Sequence, residues 1–200
     1  MSEALLQESE RSEALLQELL DRESIKETRA RYCRFLDAQD MEGFRSLFAD
    51  GCTYEVVGFD PTEGADNFVA ATRVYVAENT ALTAHHVHNP EITFVSPTEA
   101  RVTHALADYV EWPSLETGER VGFKGFGRYD ETYKKIDGGW KIASWRLSYT
   151  RMDPVGPDPL PTEIPEPPME WANVFVRQTR TASLESPRLS GAWIRRAATA

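Results

Sequence analysis

The sequence is poor in the residues that build cross-linked or metal-bound scaffolds. Among 200 residues only Cys33 and Cys52 are cysteine, and no C-x-x-C pair occurs. That excludes a disulfide framework and a thiolate zinc finger. Cys33 falls inside an apolar helical pattern and reads as a packed thiol. Positive charge is also scarce: 22 Lys and Arg stand against 32 Asp and Glu, for a net charge of −10 with His neutral. Binding a phosphate backbone needs clustered cations, and the dense basic pair Arg195-Arg196 is too small to supply them. Nucleic acid is therefore not an expected partner. No apolar run approaches the roughly 20 residues of a membrane span, and the acidic N-terminus has no signal-like apolar core. A cytoplasmic protein without membrane contact is expected. The phosphate loop G-x-x-x-x-G-K-[ST], the dinucleotide fingerprint and the G-x-S-x-G nucleophile elbow are all missing. Gly122–Gly127 reads GFKGFG, but it lies in a strand pattern and matches none of them. No cofactor is expected.

What is present reads as one domain with extensions, since 41% hydrophobic and 27% charged residues suit a globular chain. Residues 1–21 hold a near-duplicate, SEALLQESER then SEALLQELLD, with Leu5, Leu6, Leu15, Leu16, Leu19 and Leu20 as a partial stripe. The expectation is a helical arm lying on a neighbour or on its own domain, or else a frayed tail. Ser24-Ile25-Lys26-Glu27 has the form of a capping box and predicts a helix start. Ile25, Thr28, Tyr32, Phe35 and Leu36 then recur at helical spacing. A second helix is predicted over Met41–Phe48, a short strand over Cys52–Val57, a loop over 58–66 and a third helix over Asn67–Asn79. Four strands follow: His85–Val95, Ala100–Trp112, Val121–Lys134 and Trp140–Arg151. Asp137-Gly138-Gly139 is a hairpin turn signal, and the glycines of the third of these strands suit bends or bulges. Lys141, Ala143, Trp145, Leu147 and Tyr149 should share one face of the closing strand. Seven of the twelve prolines lie between Pro154 and Pro168, so residues 153–170 should run extended. Trp171–Ala200 should dock at least in part, with Ser183–Ser190 as loop. Helices followed by a curved antiparallel sheet is an α+β pattern, a cone with one open end suited to a small apolar ligand.

All four histidines, His85, His86, His88 and His104, fall within 20 positions. Along the second of the four strands Val102, His104, Leu106, Asp108, Val110 and Trp112 share a face, because alternate side chains point the same way. An imidazole and a carboxylate on a mainly apolar face are costly to bury unpaired, so this face should line a cavity. His86 and His88 could share a metal, but a third ligand at a diagnostic spacing is missing, and no metal site is expected.

Ile25-Lys26-Glu27 with Tyr32-Cys33-Arg34-Phe35-Leu36-Asp37 resembles the first helix of the SnoaL-like branch of the nuclear transport factor 2-like superfamily. Within that branch the chain is most similar to the bile-acid 7α-dehydratase type, with scytalone dehydratase and hexachlorocyclohexane dehydrochlorinase as relatives. The dehydratase's Y-x-x-x-x-D pair is matched by Tyr32 and Asp37. Its histidine five residues before Pro-Glu-Ile is matched by His85 before Pro90-Glu91-Ile92, and its later aspartate by Asp108. The hairpin from Tyr133 to Trp140 is also similar. The resemblance covers about residues 22–152, leaving 1–21 as an arm and 153–200 as a Pro-rich extension.

The resemblance implies a cone-shaped α+β barrel, often a homotrimer, performing cofactor-free eliminations on a small hydrophobic, polycyclic or steroid-like substrate. Asp37 would fix the His85 tautomer and favour its protonated form, His85 would act as general base and Tyr32 would stabilise an oxyanion. Asp108 would help a hydroxyl leave or position the substrate. His104, Leu106 and Trp112 are the candidate substrate contacts. An isomerase or cyclase, or a non-catalytic binding or assembly domain, remains open on this reading. Tyr32 and Asp37 diverge by about 140° on an unbroken helix, so both reach one pocket only if Asp37 lies at the helix end.

Overall fold

The computed structural model describes residues 3–58, 60–78 and 81–156. The expectations for residues 157–200, including the Trp171–Ala200 docking segment, lie outside the described residues.

Helix α1 runs unbroken from Glu3 to Asp37 over 35 residues. Ser24 is therefore interior to a helix and not its cap, and its carbonyl accepts a bond from Thr28 Oγ1 at 2.9 Å. The strong helix formers of the duplicated segment carry the helix back through the expected start. Asp21 is the first buried residue of α1, accepting from Trp140 Nε1 at 2.8 Å and Lys135 Nζ at 2.7 Å. The six leucines before it are 44–61% exposed, so the arm does not lie on its own domain.

Helix α2 (Met41–Arg45) is capped by the Asp40 side chain, which accepts from the Gly43 N–H. Strand β1 (Phe48–Val56) follows, then β2 (Thr62–Glu63), which occupies part of the expected loop. Helix α3 (Ala65–Arg73) continues into a π-helical turn, Val74–Glu78. The long strands are β3 (Leu82–Ser96), β4 (Glu99–Pro113), β5 (Arg120–Ile136) and β6 (Gly139–Val155). They form a six-stranded curved sheet in the order β2-β1-β6-β5-β4-β3. The expected antiparallel sheet is thus a mixed one, because β1 runs parallel to β6. It is also not closed into a barrel.

The turn at Asp137-Gly138 has φ 49° and 80°, the two positive angles that a two-residue hairpin matching the sheet twist requires. Two irregularities decide which side chains face inward. Between Ile142 and Ser144 the β5–β6 register shifts, so Trp140 and Ile142 are buried before it and Trp145 and Leu147 after it. Lys141 and Ala143 consequently do not share the face of Trp145, since an extra residue reverses the alternation. A second shift between His88 and Glu91, with Asn89 at φ 50°, lets His85 and Val87 face inward along with Ile92 and Phe94. Strand β6 also runs past the expected boundary to Val155. Its pairing with β1 ends at Leu147, so Pro154 sits where no neighbour on that side needs its N–H.

Candidate active site

Helix α1 ends where the site begins. After Asp37 the chain turns through Gln39 at φ 58°, with the Asp40 N–H bonded to the Phe35 carbonyl at 2.8 Å. Asp37, as the last helical residue, keeps its divergence from Tyr32 and reaches the start of β3. Its Oδ1 lies 2.7 Å from His85 Nδ1 and accepts from Thr83 Oγ1 at 2.8 Å, and its Oδ2 accepts from the His85 N–H at 2.9 Å. Burial pushes this carboxyl up, but the ring, backbone and hydroxyl donors together outweigh that and hold it below its ordinary value. An ionised Asp37 can only accept, so in the neutral imidazole His85 Nδ1 carries the proton and Nε2 the lone pair.

His85 is one wall of a cavity of about 690 Å³. Tyr32, five residues before Asp37 on α1, is another, packed on Phe44 at 4.8 Å between ring centroids. Apolar and aromatic groups supply most of the rest, including Tyr54, Phe68, Phe123, Tyr129, Trp145 and Leu147. The indole N–H of Trp145 has no hydrogen-bond partner among the described residues. A volume of this size suits a drug-sized apolar ligand.

Asp108 is brought to the site but stands behind its wall. It lies directly opposite His85 in the β3–β4 register, is 6% exposed, and accepts at Oδ2 from the Tyr149 hydroxyl at 2.7 Å. Tyr149 is the member of that pair that lines the cavity. Burial, then the adjoining Asp108 carboxylate, raises the Tyr149 phenol far above its ordinary value.

The three expected substrate contacts are placed elsewhere. His104 is 2% exposed, with Nε2 3.3 Å from Glu131 Oε2. Leu106 belongs to the core opposite Val87 and Gly127. Trp112 packs on Tyr75 and Phe123, which themselves line the cavity, at 6.0 and 6.2 Å. His86 and His88 are exposed and stack at 6.5 Å. Among the described residues no group of three or more His, Cys, Asp or Glu could hold a metal ion, and no helix is long and apolar enough to cross a membrane.

Beneath Tyr32 lies a charged layer that the sequence reading passed over. Arg29 is fully buried, with its guanidinium 3.8 Å from the Tyr32 ring centre and 3.7 Å from that of Tyr129. Its Nη1 is 3.0 Å from Glu131 Oε1 but off the hydrogen-bonding direction, so charge carries the pair. Burial works against the Arg29 charge, and Glu131 more than restores it. Tyr133 completes the layer by donating to Glu131 at 3.0 Å. The signal was available: Glu131 alternates with Tyr129 and Tyr133 on the buried face of β5, and Arg29 lies three residues before Tyr32.

The SnoaL-like domain family matches residues 17–146. The chain belongs to that family. A probable cyclase, FGR4, of Gibberella zeae is 28% identical over 132 residues, covering 62% of this chain and 87% of that protein. Among solved structures, one named provisionally as a scytalone dehydratase, from Novosphingobium aromaticivorans, has a TM-score of 0.62 at 25% identity. The match covers 74% of this chain and 98% of that one. The hexachlorocyclohexane dehydrochlorinase LinA-type3 of Novosphingobium barchaimii superposes with a TM-score of 0.60 at 18% identity, over 76% of this chain and 99% of that one, which shows a shared fold. The SnoaL-like fold of this chain is therefore one on which dehydratase-, dehydrochlorinase- and cyclase-named relatives are built.

Proposed function

We propose that this protein is a cofactor-independent lyase, a dehydratase that eliminates water from a hydrophobic polycyclic or steroid-like molecule. One observation carries the reading: a histidine with its Nδ1 held by a half-buried carboxylate at 2.7 Å lines a largely apolar cavity. With Nδ1 committed to Asp37, Nε2 is the basic nitrogen available to a substrate. His85 takes the proton from a carbon made acidic by a neighbouring carbonyl or conjugated enone. Tyr32, on another wall of the same cavity, donates to the oxygen on which charge develops, and the apolar surroundings strengthen that bond. The electron pair left on carbon forms the double bond as the carbon–oxygen bond breaks, and the proton taken up by His85 passes to the departing hydroxide, which leaves as water. Asp108, opposite His85 in the strand register, helps position the substrate through Tyr149, the member of that pair that lines the cavity. By the same resemblance the active form is a homotrimer, which light scattering on the purified protein tests.

A second reading, isomerase or cyclase, is favoured by the similarity to the probable cyclase of Gibberella zeae. The His85–Asp37 pair would then move a proton without expelling water. Incubation with a panel of hydroxylated steroid ketones, followed by mass spectrometry, separates the two. Products lighter by one water are expected, products of unchanged mass would favour the second reading, and turnover of neither kind would sink both. Because the chemistry asks only for proton transfers, activity should survive a strong chelator.

A further inference from the structure

The Asp108–Tyr149 pair is a built feature of the cavity wall. Asp108 pairs across the sheet with His85 on one side and Gly125 on the other, so the three form one row. Directly opposed side chains in antiparallel strands share a face, which puts the carboxylate beside the imidazole. The third place in the row is left open by Gly125, and the Tyr149 ring fills it from β6. A Cβ at position 125 would overlap both Asp108 Oδ1 and the Tyr149 ring. The glycine is thus what allows the phenol to lie over the strand and reach Asp108 Oδ2 at 2.7 Å. Asp108 Oδ1 has no hydrogen-bond partner among the described residues, so the bond from Tyr149 is what that buried carboxylate receives.

A phenol has one proton, and here it is committed to Asp108. What the Tyr149 oxygen offers to the cavity is a lone pair, an acceptor only. In an apolar wall such an acceptor is satisfied by a hydroxyl and left unpaired by a carbon–chlorine bond, an ether or a bare ring. We propose that Tyr149, held in place by Asp108 and admitted by Gly125, is a specificity-determining residue that selects substrates bearing a free hydroxyl. Asp108 is its positioning residue and acts on the substrate through it. The inference deepens the lyase reading and rests on it for the role of His85. It separates this cavity's substrate class, alcohols, from the organohalide in the name of the dehydrochlorinase relative.

The test reads binding alone, so it is independent of whether His85 acts as a base. Wild type, Tyr149→Phe and Gly125→Ala are titrated by calorimetry with matched ketones differing by one hydroxyl. The pairs are 1-tetralone with 4-hydroxy-1-tetralone, and androst-4-en-3-one with testosterone. Wild type should bind the hydroxylated member of at least one pair about five- to tenfold more tightly, the effect of one buried hydrogen bond. Tyr149→Phe keeps the ring and should bind both members equally, and Gly125→Ala should weaken the preference by parting the two side chains. Equal affinity in wild type for both members of both pairs, or an undiminished preference in Tyr149→Phe, overturns the inference. A preference lost in Tyr149→Phe alongside full activity in His85→Ala would instead overturn the lyase mechanism and leave this inference standing.

Discussion

Replacing Arg29 by Met tests the layer beneath the cavity, and its size can be worked from the structure. The side chains of Arg29 and Glu131 are both 0% exposed, and they meet at 3.0 Å. Removing one member of a buried pair leaves the other charge uncompensated, at a cost of about 3–5 kcal/mol. The two ring contacts at 3.8 and 3.7 Å are lost at the same time, and each would be worth up to about 2 kcal/mol taken alone. These terms overlap, because Met still packs between the rings, so about 4 kcal/mol in total is the expectation. At this chain length that lowers the melting midpoint by about 8–16 °C. Urea unfolding should show a lower midpoint with an unchanged slope, since the surface exposed on unfolding is the same. Adding Glu131→Gln to Arg29→Met removes the stranded charge and should recover about 1–3 kcal/mol, a coupling in the range seen for contacting residues. An Arg29→Met protein within about 1 kcal/mol of wild type, or a double variant that is simply additive, would refute the reasoning.

Asp37→Asn should slow turnover by on the order of 100-fold or more, because the imidazole loses the acceptor that sets its tautomer. The folded-state carboxyl is held below its ordinary value of 3.8, so its stabilisation is present above that value and lost as pH falls through the lower, folded one. The stability gap between wild type and Asp37→Asn should accordingly be constant above about pH 5 and narrow below it. A gap that widened in acid would contradict the hydrogen-bonding pattern. Burial pushes the Cys52 thiol up to about 12 and raises Cys33 as well. Both should resist alkylation at pH 8 in the native protein and react fully in denaturant, because the thiolate is the reactive form. Deleting residues 1–16 should leave the unfolding midpoint of the isolated chain unchanged, since the leucines of that arm are exposed; a marked drop would show that they are covered by another copy.

Much of the fold was legible because its strands carry strong period-2 patterns and its sharpest turn carries the residues that positive φ demands. Asp137-Gly138 announced the β5–β6 hairpin, and the β4 face from Val102 to Val110 was assigned residue by residue. Parity across bulges was not legible. Nothing local marks Ala143 as the place where β6 reverses its inward face, and Lys141 was placed beside Trp145 for that reason. The parallel pairing of β1 with β6 escaped for a related cause, since pairing of distant strands leaves no trace in either strand's own pattern. Ser24 shows the limit of a cap signal: a capping box is satisfied only where a helix begins, and the helix formers before it prevent that.

The structure brings the expected catalytic residues near one another and sets the expected substrate contacts apart from the cavity. Tyr32 and His85 both line the cavity, and Asp37 holds His85, because α1 ends at Asp37 beside the first residues of β3. Asp108 meets the row but touches the cavity wall through Tyr149. His104 and Leu106 share the inward face of β4 with Asp108, yet the core closes over that end of the strand, with Arg29 and Glu131 occupying the space beneath the tyrosines. Facing inward and lining a cavity are different properties, and periodicity reports only the first.

The account stands or falls on His85. With a hydroxylated substrate found by the mass-resolved panel, the decisive measurement is the turnover of His85→Ala against wild type at equal folded concentration. A fall of at least about 100-fold, the size of a lost general base, with an unchanged unfolding midpoint is the predicted result. A His85→Ala protein that keeps the wild-type rate would contradict the mechanism outright.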